Sequence, residues 1–322
     1  MKEVLLYKKL NKEKVQCQNC AHYCILKPEE IGKCKVKKNI KGKLFSLNYG
    51  KVGAINIDPI EKKPLYHFLP GTETLSFGSP GCSLNCQNCQ NWNLAQKTDS
   101  HQSKKLSPEE IISIARENNL PSIAYTYSEP SVFLEFSLEV MKLAHKEGLK
   151  NIWVSNGFLS KECREKIAPF LDAINIDLKN FSESFYDKIC NGHLNPVLDT
   201  IRSLNDKTHL EITTLLIPDY VNKDQLEKIA EFIASIDKKI PWHLTKFYSE
   251  VSWKMKDYKN TNEENLNQAK KIGEDIGLKY VYATENNTYC PNCNSLVIKR
   301  NLYKIKRMDD KGRCPQCNQK IF

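Results

Sequence analysis

The sequence predicts an α/β fold built on parallel strands, either a barrel or a doubly wound sheet, with a cysteine-rich segment before it and a zinc-ribbon-like tail after it. Three observations carry that expectation. From Thr74 onward short apolar runs alternate with stretches of helical periodicity, eleven of the thirteen cysteines fall into three tight clusters, and the positive charge is concentrated at both ends of the chain.

The amino end sets Cys17, Cys20, Cys24 and Cys34 among Lys, Asn and Gly. Four cysteines suit either a closed zinc site or an iron–sulfur cluster, so a second metal centre, Zn or Fe–S, is expected here. His22 lies inside the group and reads as a solvated loop residue. The stretches 43–47 and 52–58 alternate like a short hairpin around Tyr49-Gly50. Strand-like runs follow at 74–78, 122–127, 151–155, 173–178, 210–217, 242–247 and 279–283. Between them Ser107-Pro108-Glu109-Glu110 supplies an N-cap, a first-turn proline and a capping-box glutamate. A second helix is expected over 131–147 before Gly148, a third after Asn222, and a fourth through Leu266, Ala269 and Ile272 to a stop at Gly277. Such alternation implies right-handed crossovers between parallel strands.

Cys82, Cys86 and Cys89 form a C-x3-C-x2-C loop after the first of these strands, with no fourth cysteine nearby in sequence. A structural zinc site wants four ligands, whereas three thiolates on a cubane iron–sulfur cluster leave one iron open. The competing reading is a zinc knuckle completed by a distant residue. Further polar groups mark the ends of the next strands: Ser128 and Glu129, then Ser155, Asn156 and Gly157, then Asp177 and Lys179. Active sites of such folds gather at the carboxyl ends of strands. Charges within apolar stretches are costly unless paired or ligated. Cys163 and Cys190 stand alone and read as buried small hydrophobes.

The tail carries Cys290-Pro291-Asn292-Cys293 and Cys314-Pro315-Gln316-Cys317. Two CxxC knuckles so spaced read as a zinc ribbon, with a rubredoxin-type iron centre as the alternative. A unit this small draws much of its folding free energy from the metal.

The three-cysteine loop resembles the cluster motif of the radical S-adenosylmethionine (radical SAM) superfamily, and Cys89-Gln90-Asn91 resembles the same run in activating enzymes of glycyl radical proteins. Tyr125-Thr126-Tyr127-Ser128-Glu129-Pro130 is similar to the superfamily's second-strand Gly-Gly-Glu-Pro segment. Val154-Ser155-Asn156-Gly157 and Asn175-Ile176-Asp177-Leu178-Lys179 resemble its third- and fourth-strand segments. Asn88 departs from the aromatic that usually precedes the third cysteine. The resemblance implies a [4Fe–4S] cluster on Cys82, Cys86 and Cys89, with S-adenosylmethionine held by Ser128, Glu129, Ser155, Asn156, Asp177 and Lys179. In that scheme Glu129 takes the methionyl amino group, Lys179 the methionyl carboxylate, and Asp177 the ribose or substrate.

More narrowly, the chain resembles the radical SAM component of AmmeMemoRadiSam systems, relatives of pyruvate formate-lyase activating enzyme. The residues that carry this are Cys17-x2-Cys20-x3-Cys24 with Gly32-Lys33-Cys34, the stretch 58–71 from Asp58-Pro59 to Pro70-Gly71, Cys89-Gln90-Asn91-Trp92, and Trp242-His243-Leu244 before Phe247-Tyr248. It implies a partial (β/α)6 TIM-like radical SAM barrel. It also implies company with Memo-like and AMMECR-type proteins and an electron donor of flavodoxin or ferredoxin type. His67 and His243 are the candidate catalytic residues, being titratable groups in those segments. Asp58 and Glu61 read as carboxylates that solvate a loop.

The expected activity is reductive cleavage of S-adenosylmethionine to a 5′-deoxyadenosyl radical that abstracts hydrogen from a small-molecule or protein substrate. The alternatives are a glycyl-radical enzyme activase and, outside enzymes, a zinc-containing nucleic-acid-binding module. The chain divides into 1–48, 49–285 and 286–322. Residues 1–48 carry a net +8 and residues 286–322 a net +6, which leaves the middle at −4 of the total +10. The basic ends coincide with cysteine clusters and offset the negative charge of tetrathiolate metal sites, so a nucleic-acid partner is not expected. With 322 residues, 40% hydrophobic, no export signal and no membrane-length apolar run, a cytoplasmic globular enzyme without a membrane partner is expected.

Overall fold

The computed structural model describes residues 1–98, 102–284, 286–301 and 303–322. Its central sheet is eight-stranded among the described residues. The strands are β1 (Ala54–Pro59), β2 (Glu73–Gly78), β3 (Ser122–Tyr125), β4 (Lys150–Ser155), β5 (Ala173–Asp177), β6 (His209–Leu216), β7 (Trp242–Lys246) and β8 (Val281–Tyr282). β1 pairs antiparallel with β2, and every later strand lies parallel beside its predecessor. The crossovers run through α1 (Pro108–Glu117), α2 (Leu134–Lys146), α3 (Lys161–Ile167), α4 (Leu194–Leu204), α5 (Lys223–Ile236) and α6 (Glu263–Ile276). A sequential order has no switch point, and right-handed crossovers that always step the same way put the helices on one face. That excludes the doubly wound alternative.

The two faces follow from the period of two along each strand. Ile174, Ile176, Ile212, Trp242 and Leu244 join Ile111, Val140, Val197, Ile229 and Ala269 of the helices in one core. The opposite face carries Asn175 and Asp177 on β5, Glu211 and Thr213 on β6, and His243 and Thr245 on β7. At its amino end this inner face is plugged by the segment 60–69, where Ile60 and Leu65 pack on Ala124, Ile152 and Ala173.

Local signals account for the helix ends. Ser107 and Glu110 form the expected capping box of α1, Asn222 caps α5, and Gly277 closes α6 in the left-handed conformation. The stretch expected as one helix from 131 opens instead with a 3-10 turn, Pro130–Phe133, because the Glu129 carboxylate accepts from Ser131 N and holds the chain start open. The expected hairpin over 43–58 does not form. Lys43–Ser46 pairs with Lys37–Ile40, Lys51–Val52 with Lys104–Lys105, and β1 with β2. Between them Asn48 donates to Pro80 O at 2.9 Å, which diverts the chain onto the main sheet.

The amino-terminal segment builds two small antiparallel sheets and docks on the helical layer through Lys37, whose ammonium meets Glu135 of α2 at 2.5 Å with both groups buried. The tail is a three-stranded antiparallel sheet that seats Arg300 over the Tyr66 ring at 4.4 Å. Among the described residues no helix is long and apolar enough to cross a membrane.

Candidate active site

The loop after β2 enters its turn at Gly81, whose φ of 106° suits glycine, and an added Cβ there would stand 2.9 Å from the Val36 methyls. Asn85 N and Gln87 N donate to the carbonyls of Cys190 and Ile189 at 2.9 and 3.0 Å, pinning the loop to the turn before α4. Cys82, Cys86 and Cys89 thereby open onto one cavity of about 550 Å³ at the carboxyl ends of the parallel strands. Burial, the Glu129 charge and the neighbouring cysteines push the Cys82 thiol well above its ordinary value, and burial pushes Cys89 to about 11. A hydrogen bond from the Cys190 side chain holds Cys86 below its ordinary value. Thiolates gathered here call for a compensating cation.

The donor set fits a cluster better than a single ion. A closed zinc site wants four protein ligands, and the tail supplies them: the ligand atoms of Cys290, Cys293, Cys314 and Cys317 all lie within 4.8 Å of one another. The three loop cysteines suit a cubane whose irons each take one thiolate and leave one iron open.

Beyond the cysteines, the second strand end supplies Glu129, which is buried against the third. Its carboxylate accepts from Asn156 N at 2.9 Å, from Ser131 N at 3.2 Å and from Ser155 Oγ at 3.0 Å. Ser155 Oγ also lies 3.1 Å from the second carboxylate oxygen, but its single proton serves one oxygen at a time, so of about four acceptor sites one remains for a donor from the cavity. Burial raises the Glu129 pKa, and the three donors oppose that rise. Asn156 Nδ2 donates to Ser83 Oγ at 3.1 Å and reaches Cys82 Sγ at 3.6 Å. Ser128 also lines the cavity, its hydroxyl donating to Ser79 O at 2.5 Å. From the fourth strand end, Lys179 Nζ donates to Asp177 Oδ2 at 2.8 Å. Burial would lower the Lys179 pKa, but the charges of Asp177 and Cys86 hold it well above its ordinary value.

The structure adds residues the sequence reading passed over. Asp58 is buried, not solvated: it meets Lys63 Nζ at 2.7 Å and Lys62 Nζ at 2.9 Å, and it accepts from Tyr127 OH at 2.5 Å. Lys62, Lys63 and Tyr127 line the same cavity. Glu61 is buried too, accepting from Gly71 N at 2.8 Å. Asp58 is the last residue but one of β1, and a carboxylate near the end of an alternating strand was the available signal. Cys190 is buried as expected, yet it lies beside Cys86.

His67 and His243 are not brought to this cavity. They lie at the amino end of the sheet, in a buried network centred on Glu211. The Glu211 carboxylate shares 2.6 and 2.8 Å contacts with His243 Nε2 and His209 Nε2, and accepts from the backbone N–H groups of Tyr66 and His67. His67 Nε2 lies 2.6 Å from Tyr282 OH, and burial lowers its pKa to about 3, so the ring is neutral. The period of two explains the miss: His243 shares a face with Thr245, but two residues deeper. The tail cysteines lie in the turns beside the sheet that packs on this same end, with Cys290 Sγ 3.5 Å from Cys317 Sγ and Cys293 Sγ 3.6 Å from Cys314 Sγ. Cys17, Cys20, Cys24 and Cys34 lie in the amino-terminal segment, where Cys20 and Cys34 join the core that holds the loop cysteines.

The sequence profile of the Radical SAM superfamily matches residues 77–233, the span from β2 to α5 that contains the loop, Glu129, Asn156, Asp177 and Lys179. An uncharacterized protein of Methanocaldococcus jannaschii is 38% identical over 335 residues, covering 100% of this chain and 99% of its own length. A putative glycyl-radical enzyme activating enzyme of the same organism is 29% identical over 211 residues, covering 62% of this chain and 75% of its own. The crystal structure of Streptococcus suis SuiB bound to S-adenosylmethionine shares the fold, with a TM-score of 0.51 at 15% identity over 64% of this chain and 48% of that one.

Proposed function

The chain belongs to the radical SAM superfamily and is a radical SAM enzyme, and we propose that it cleaves S-adenosylmethionine reductively beside Cys82, Cys86 and Cys89 and abstracts hydrogen from a substrate bound in the same cavity. The superfamily implies a [4Fe–4S] cluster and S-adenosylmethionine, which together supply a one-electron cleavage of the sulfonium and a 5′-deoxyadenosyl radical. The observation that carries the reading is that three cysteines and a buried carboxylate with one spare acceptor site open onto one cavity.

In this reading the chain's own residues bind and orient. Glu129 accepts the methionyl ammonium, and Lys179, steered by Asp177, meets the methionyl carboxylate. Ser155 and the Asn156 backbone hold Glu129 in place, while Asn156 Nδ2 and Ser128 fix the loop and its neighbour. Lys62 and Lys63 form the floor of the substrate space with Tyr127, and the segment 60–69 keeps water from entering from below. The sheet is read as a partial (β/α)6 barrel within residues 49–285, and the tail quartet as a zinc site. The reaction needs a one-electron donor, of flavodoxin or ferredoxin type. Memo-like and AMMECR-type proteins are the proposed company.

A second reading, activation of a glycyl radical enzyme, is favoured by Cys89-Gln90-Asn91 and by the relative named as a putative activating enzyme. Anaerobic reconstitution of wild type and Cys86→Ala, with dithionite-driven release of 5′-deoxyadenosine measured on both, tests the proposal. Wild type is expected to release it and the variant to lose that release while its tail metal stays bound; equal release from both would refute the assignment. Hydrogen exchange into a glycine of a partner protein would select the second reading.

A further inference from the structure

The fold sets two cysteine groups side by side, and only one belongs to the site described above. In the other, Val15–Cys17 pairs antiparallel with Ile25–Leu26, and Cys17 N donates to Cys24 O at 3.0 Å. Tyr23 N donates to Cys20 O at 3.2 Å, and Lys35 N to Gly32 O at 2.8 Å, closing tight turns beside Cys20 and Cys34. Cys20 and Cys34 pack in the core that holds Cys82, Cys86 and Cys89, Cys17 and Cys24 pack together in the small core beside it, and Cys17, Cys24 and Cys34 all act electrostatically on Cys20. Four thiolates can cap the four irons of one cluster, and a centre set against the loop cysteines is placed to exchange electrons with them, which a redox-inert zinc ion would not do.

The group abuts the catalytic loop. An added Cβ at Gly81 would stand 3.0 Å from the Cys34 carbonyl oxygen, and Gly81 precedes Cys82. His22 Nε2 lies 2.9 Å from Ser83 O, and Ser83 follows Cys82. Cys20 forms an isolated β-bridge with Leu159, three residues beyond Asn156. The outer side of the group is net basic: Lys27, Lys33 and Lys35 are exposed around Cys24 and Cys34, with Glu29 and Glu30 exposed among them, within a segment of net charge +8. Such a face steers an acidic carrier toward it.

We propose that Cys17, Cys20, Cys24 and Cys34 hold an iron–sulfur cluster that takes one electron from an acidic one-electron protein carrier and passes it to the metal centre of the Cys82, Cys86 and Cys89 loop. The carrier is oxidised by one electron and the loop centre reduced by one; no bond forms or breaks. The metal assignment stands by itself, whereas the relay rests on the function proposed above.

Metal analysis and low-temperature EPR on the full chain, reconstituted anaerobically, test both parts. The Cys82→Ala/Cys86→Ala/Cys89→Ala variant is expected to keep about four irons and four sulfides beside about one zinc. No retained iron together with about two zincs would overturn the metal assignment. The reciprocal Cys24→Ala/Cys34→Ala variant guards against misfolding: it is expected to lose about half the wild-type iron while S-adenosylmethionine still alters the EPR signal of the loop centre. Full iron retention by that variant would also overturn the assignment. In stopped flow with reduced flavodoxin or ferredoxin, reduction of its loop centre is expected to slow at least about tenfold, with dithionite-driven 5′-deoxyadenosine release preserved. Unchanged reduction would overturn the relay alone, whereas failure of wild type to release 5′-deoxyadenosine with dithionite would count against the proposed function instead.

Discussion

Replacing Glu129 by glutamine is expected to weaken S-adenosylmethionine binding about 10- to 150-fold, which corresponds to the 1.5–3 kcal/mol typical of a hydrogen bond to a charged group. The structure sets that size. Three protein donors already occupy the carboxylate, and the spare site is the one offered to an incoming ammonium. A glutamine has one oxygen and one NH2 group. Either orientation turns the NH2 toward Ser131 N–H or Asn156 N–H, so one buried donor also loses its acceptor, at about 1–3 kcal/mol of stability. The assay is anaerobic equilibrium dialysis of labelled S-adenosylmethionine against reconstituted protein, with iron content and the unfolding midpoint measured in parallel. If the variant keeps its iron and binds within about threefold of wild type, the ammonium does not sit on Glu129 and the reasoning fails.

Other consequences concern the opposite end of the sheet. Glu211→Ala strands two backbone donors and two histidines around a fully buried position, and is expected to cost about 3–5 kcal/mol in denaturant unfolding; less than about 1 kcal/mol would show that the network does not hold the floor. His67 has a folded pKa near 3 against an ordinary 6.5, so the unfolded chain alone takes up its proton between those values. Stability from this group is complete above pH 6.5 and falls by up to about 1.4 kcal/mol per pH unit as acid is added. Glu211, held well below its ordinary 4.5 by His209 and His243 against the effect of burial, adds loss of the same sign below pH 4.5. His67→Gln is expected to flatten the slope between pH 6.5 and 4.5 in urea titrations, and an unchanged slope would contradict the assignment. Cys314→Ser is expected to release the tail metal and expose Arg300 and Tyr66 to limited proteolysis or exchange, with the iron of the loop retained; simultaneous loss of iron would contradict the separation of the two sites.

Much of this was legible from residue types and spacing. Capping residues announced α1, α5 and α6, and alternation announced the parallel strands, because both signals are local. The helices α3 and α4 were not read, although Ser160 caps one and Val197, Leu198, Ile201 and Leu204 mark the buried stripe of the other. The false hairpin over 43–58 shows the limit of alternation: it names strands but not partners, and Asn48 and the main sheet decided those. At the site, the cysteines, Glu129, Asp177 and Lys179 could be named because motif spacing places them at strand ends. Depth along a strand is invisible to such spacing, so His243 looked like a site residue while it lies on the floor with Glu211. Contacts between distant segments were equally hidden, among them Asp58 with Tyr127 and Cys34 with Gly81.

The central claim is that one iron beside Cys82, Cys86 and Cys89 carries no protein thiolate and binds the amino acid end of S-adenosylmethionine. Electron–nuclear double resonance of the reduced wild-type centre, with S-adenosylmethionine labelled by 15N in the amino group and 17O in the carboxylate, addresses it directly. Hyperfine coupling from both labels to the loop centre, absent in Cys86→Ala, is the expected result. Absence of both couplings in a wild-type protein that holds its iron and binds S-adenosylmethionine would contradict it.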